Sequence, residues 1–104
     1  MEDMQLVMPT AAPDLSDLGE GWHHWPHWNG IVRWLDEDRW VAIVPFIYTD
    51  AILVGPRGVT MYYEDRWCYH TAQAAVLAAE AWCRGGGVGE PLGWHRHPGT
   101  DRRR

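Results

Sequence analysis

Trp40-Val41-Ala42-Ile43-Val44-Pro45-Phe46-Ile47 is the stretch on which the fold turns. It is a short run of β-branched and aromatic residues bounded by polar ones, which reads as a strand. Alternate side chains of a strand point to opposite faces, so Trp40, Ala42, Val44 and Phe46 share one face and Val41, Ile43, Pro45 and Ile47 the other. Neither set is polar. Such a strand is covered on both sides, or one of its faces is held for another subunit. Pro45 cannot donate to a ladder, so pairing should weaken there or the strand should bulge.

Outward from this run, Ile31–Leu35, Ala51–Gly55, Val59–Tyr63 and Trp67–Tyr69 are further candidate strands. The links between them are turn chemistry: Asp36-Glu37-Asp38, Gly55-Pro56-Arg57-Gly58 and Glu64-Asp65-Arg66. Short links force antiparallel neighbours, hence a meander. Thr71 then fits an N-cap, and Ala72–Arg84 has high helix propensity up to Gly85-Gly86-Gly87. Ala72, Ala75, Val76, Ala79, Trp82 and Cys83 form a stripe at helical spacing that packs on the sheet, leaving Leu77, Ala78 and Ala81 partly exposed unless a partner covers them. The expected fold is α+β: an antiparallel meander of four to five strands with one C-terminal helix packed on one face and flexible termini. The expected division is a flexible acidic arm over 1–21, a single domain over 22–94 pinned at its end by Trp94, and a basic flexible tail over 95–104.

A length of 104 residues with 46% apolar and 22% charged content suits one globular domain. The chain has no Lys, so nine Arg carry every fixed positive charge, a usage that suggests a GC-rich coding genome. Net charge is −5, which argues against broad phosphate-backbone binding. Acids gather in the first twenty residues, while Arg96, Arg102, Arg103 and Arg104 crowd the end. No run has the length of a membrane span and the N-terminus lacks the pattern of a signal peptide, so a cytoplasmic location is expected, in an infected bacterium if the source is a phage. Cys68 and Cys83 are expected as free packed thiols, although a strand-to-helix bridge is sterically conceivable.

Of eight tryptophans, Trp22, Trp25, Trp28, Trp34 and Trp40 fall within one short stretch. Trp34, Trp40, Trp67 and Trp82 sit on expected elements and read as core. Trp22, Trp25 and Trp28 are spaced by three, and an extended polyproline-like chain would put them on one edge as a stacking ladder. Closing one end of the core is the alternative and the preferred reading. In the same segment His23, His24 and His27 are weak metal candidates: on a helix two imidazoles would share an ion, with His95 and His97 to complete the site. Pro26 disfavours that helix, and a His- and Trp-rich loop across the sheet is the simpler reading.

No cofactor signature, phosphate loop or nucleophile-and-base arrangement stands out, and the acidic pairs lie at turns. A non-enzymatic protein is expected.

The order of strands followed by an alanine-rich helix, with Trp67-Cys68-Tyr69-His70-Thr71-Ala72-Gln73-Ala74-Ala75 at the junction, resembles the small DNA-reading domains of integrase arms and plant ethylene-response factors over about residues 31–84. That resemblance implies a sheet laid into the major groove. Those domains carry Arg and Lys on the exposed sheet face, whereas Arg33, Arg39, Arg57 and Arg66 here alternate with acids. A second resemblance rests on Glu90-Pro91-Leu92-Gly93-Trp94-His95-Arg96-His97-Pro98, followed by Gly99-Thr100-Asp101-Arg102-Arg103-Arg104 after a helix ending near Trp82. This stretch is similar to small accessory proteins of bacteriophages infecting mycobacteria and related actinobacteria. It implies a phage origin and a partner among host factors.

The functional expectation is a phage-encoded module that binds another protein, a host factor or a second copy, through Trp22, Trp25, Trp28 and Leu77. A nucleic-acid-binding domain using the sheet face and indole stacking is the alternative.

Overall fold

A computed structural model describes residues 21–25, 28–58 and 63–97. It is an α+β fold in which β1 (His23–Trp25), β2 (Gly30–Trp34), β3 (Arg39–Phe46), β4 (Thr49–Pro56) and β5 (Asp65–Tyr69) precede α1 (Ala72–Arg84). The strands pair in sequence order, every pair antiparallel, as the short links require. The expected arm, apart from Gly21, and residues 98–104 of the expected tail lie outside the described residues. So do 59–62 of the expected strand Val59–Tyr63, while Tyr63 itself belongs to no strand.

β3 is covered on both sides, the first of the two arrangements its sequence allowed. Val41 and Ile43 join Ile52, Val54, Trp67, Tyr69 and Leu35 under Ala75, Ala79 and Trp82 of the helix. Trp40, Ala42 and Val44 join Trp25, Val32, Ala51, Leu53 and Cys68 on the opposite face. Among the described residues no helix lies on this second face. The rings of Trp28, Trp34, Phe46 and Tyr63 border it instead. Cys68 and Cys83 therefore sit on opposite sides of the sheet, which rules out the bridge between them.

Pro45 interrupts one ladder and not the other. Pairing of β3 with β2 ends at Ile43, two residues before it, whereas pairing with β4 runs on to Phe46 and Thr49. The chain thus ends one neighbour where the donor is missing, without a bulge in the other.

The helix ends follow the sequence closely. Thr71 Oγ1 accepts from the Ala74 N–H at 3.1 Å. At the other end the Gly87 N–H donates to Trp82 O and the Gly86 N–H to Cys83 O, with Gly86 at φ +83°, a Schellman closure. Gly87 also accepts from Arg39 through its carbonyl at 3.1 Å. That bond ties the helix end to the start of β3.

Two boundaries differ from expectation. His23–Trp25 is an edge strand on β2 and not part of a loop across the sheet: the four residues between Gly21 and Pro26 are too few to show a period. The domain also runs past 94. His95 donates its N–H to Cys68 O at 2.9 Å, and buried His97 bonds Ile47 O through Nε2 at 3.0 Å. The expected flexible tail over 95–104 is thereby corrected at its first three residues, which are held to β5 and to the β3–β4 turn.

Candidate interaction surface

β1 redistributes the residues that the sequence grouped. Neighbours on a strand project to opposite faces, so half-buried His23 and exposed His24 do not face one ion. His27 lies outside the described residues. Among the described residues no three His, Cys, Asp or Glu side chains gather as a metal would need.

The tryptophan ladder is overturned by the same alternation. A spacing of three puts residues on one edge only if the chain has three residues per turn; in a strand of period two they diverge. Trp22 accordingly packs against the helix-side core, with the Arg33 guanidinium 5.7 Å over its ring. Trp25 has no exposed surface and packs edge-on against Trp40 at 4.9 Å on the other face. It is a core residue and drops out as a partner contact. Trp28 is half-buried between Trp25 and Tyr63, at 6.0 and 6.2 Å.

Leu77 keeps its place, 61% exposed, and it stands beside a feature that the sequence reading missed. After its glycine cap the chain returns along the helix as a strap, residues 88–94. Ala78, Ala81 and Trp82 form one wall of a groove of about 220 Å³, and Val88, Pro91 and Leu92 the other. Alanines on the helix keep that wall low. Three side chains hold the strap in place without strand pairing. Trp82 Nε1 donates to Val88 O at 3.1 Å, the Tyr69 hydroxyl donates to Leu92 O at 2.8 Å, and Trp94 Nε1 donates to Glu90 at 3.1 Å. Fixed in this way, Val88 and Leu92 stay 80% and 86% exposed at the rim. The signal was present in the sequence as two large aliphatic residues between Gly and Pro, where loop chemistry does not ask for them.

The Tyr69 bond has a pH signature. Burial pushes its phenol from an ordinary value of 10.0 up to about 12. A raised value in the folded state means stability that is intact below pH 10 and is lost as pH rises toward 12. Burial also raises the Cys83 thiol, with Glu80 adding and Arg33 and Arg84 opposing, so its contribution declines in the same direction from a lower pH. We expect the melting temperature to drop between pH 10 and 12. In Tyr69→Phe it should start lower at pH 8 and drop less across that interval; an unchanged slope would contradict the assignment.

At the β5 edge the His70 and His95 rings stack, centroids 4.1 Å apart and 22° from parallel, which helps to seat the strap's far end. The sheet face that DNA-reading domains lay into a groove is occupied here: Val32, Ala42 and Leu53 are buried, and the guanidinium groups of Arg57 and Arg66 lie over Trp34 and Phe46 at 4.2 and 4.5 Å. No helix among the described residues is long and apolar enough to cross a membrane. Set against protein-family models, curated proteins and solved structures, the chain matches none of them.

Proposed function

We propose that this chain is a non-enzymatic protein-binding module and that its contact surface is the groove between α1 and the strap. The observation that carries the reading is the combination of a fixed concave wall with exposed aliphatic residues around it: Val88 and Leu92 remain in water at the rim, and Leu77 is exposed on the helix one turn before Ala81. Such a cleft takes a large apolar side chain from another polypeptide, with Glu90 as the polar group at its mouth. In the phage setting suggested by the C-terminal stretch, a host protein is one source of that polypeptide. The nucleic-acid alternative loses support from the buried sheet face and the net charge of −5.

The test is selection of random peptides on the immobilised full chain, with Ala81→Arg as counter-selection. Ala81 is exposed, so the variant is expected to fold while filling the groove. Peptides centred on one large apolar residue and retained only by the wild type are the expected result. Equal retention by both proteins would overturn the reading.

A further inference from the structure

Apart from the groove, we propose that the end of the sheet carrying the β3–β4 turn is a second contact surface, which seats on an anionic phospholipid membrane with Ile47 and Tyr48 inserted among the headgroups.

The apex of that end is the turn Ile47-Tyr48, where two-residue hairpin loops ordinarily use Asn-Gly or another glycine pair. Tyr48 sits at φ +61°, a region that strains a residue with a Cβ and leaves glycine unstrained. Its side chain is nonetheless fully exposed, Ile47 beside it is 56% exposed, and Pro45 extends the apolar edge into water. A strained aromatic residue facing solvent points to a contact made outside the chain. The apex is also fixed in shape. Thr49 Oγ1 donates to Phe46 O at 2.7 Å, and buried His97 holds the Ile47 carbonyl at 3.0 Å. An aliphatic side chain next to a tyrosine on a rigid projection suits the membrane interface, which takes the apolar body of each and leaves the phenol hydroxyl at headgroup level. No receiving pocket is needed.

Positive charge gathers at the same end. His97 pins the chain to the apex, Arg96 before it is exposed, and Arg102, Arg103 and Arg104 follow within seven residues, a length that reaches at most about 25 Å. The helix α1 also begins here, just after Tyr69 pairs with Asp50, and its first turn carries no acid against the positive end of its dipole. Asp50 and Asp101 oppose these arginines. Other acids that set the net charge of −5 cluster away from the apex: Asp36, Glu37 and Asp38 lie at the opposite end of β3, with Glu64 and Asp65 beside Val54. Salt confines the reach of each exposed charge to about 10 Å, so a surface at the apex meets the arginines and not those acids.

Insertion and attraction to anionic lipid are each too weak to hold a protein on a bilayer, and this end supplies both. The groove, built on the last two turns of α1, lies toward the other end of the helix and stays open when the apex is docked.

Flotation of the full chain with vesicles tests this, using phosphatidylcholine alone and phosphatidylcholine mixed with phosphatidylglycerol. The wild type should float with the mixed vesicles and not with the neutral ones, and added salt should release it. Ile47→Ser and Tyr48→Gly together should weaken binding by about tenfold. Tyr48→Gly alone should bind more weakly and yet melt at a higher temperature, since glycine relieves the turn; that outcome separates lost binding from lost folding. Replacing Arg96, Arg102, Arg103 and Arg104 by Gln should weaken binding by roughly fivefold for each arginine. A wild type that floats with neither vesicle would overturn the assignment. So would binding that survives the loss of Ile47 and Tyr48, the result expected of a soluble acidic partner held by charge alone. Peptide selection on the groove would be untouched by either result.

Discussion

Trp25→Ala is expected to lower stability by about 3–5 kcal/mol, the range for removing a large aromatic side chain from a packed core. The indole has no exposed surface and lies against Trp40 and Trp28. It belongs to a strand of three residues, His23–Trp25, whose single ladder to β2 cannot hold it alone. Its removal therefore opens a cavity on the second face and frees the strand that closes that face. For a domain of this size each kcal/mol is worth roughly 4–8 °C in melting temperature, so a fall of some tens of degrees is expected. Urea unfolding followed by near-ultraviolet circular dichroism measures it. A loss below about 1 kcal/mol would return Trp25 to the surface role that its sequence context suggested.

Gly30→Ala is expected to cost about 3 kcal/mol for a change of one methyl group, at the upper end for overpacking. A Cβ at Gly30 would collide with the Ile43 carbonyl and stand 2.8 Å from Val44 Cγ1 and 3.0 Å from Val44 Cα. Two of these three atoms are backbone of the central strand, so relief requires β2 to move away from β3. Asn29→Gly is the control for the same turn: Asn29 is at φ +56°, which glycine accepts without strain. Comparing urea midpoints of the two variants separates close packing from turn conformation. Equal midpoints would contradict the close approach at Gly30.

These two sites also mark how far the sequence could be read. The two-faced pattern of Trp40–Ile47 and the helix bounded by Thr71 and Gly85 were legible because each follows from a period or a cap of several residues. β1 was not, since Gly21 and Pro26 confine it to a length at which strand and loop look alike. The tryptophan spacing misled for a related reason: three is a period only once the backbone conformation is known, and pairing with β2 set it to two. The groove was half legible. Leu77 and Ala81 showed as surplus apolar positions on the helix, but Val88 and Leu92 became a rim only through bonds from Trp82 and Tyr69, residues distant in sequence or already assigned to the core. Tyr48 was hidden because an exposed tyrosine in a turn carries no pattern; its strain is a fact of the backbone alone.

Amide chemical-shift mapping of the uniformly ¹⁵N-labelled full chain, titrated with a peptide selected on it, locates the contact surface residue by residue. A peptide seated in the groove should shift Leu77, Ala78 and Ala81, Val88 and Leu92, and the Trp82 indole whose N–H holds the strap. Shifts centred on Trp22 and Trp28, with the helix and strap unmoved, would contradict it.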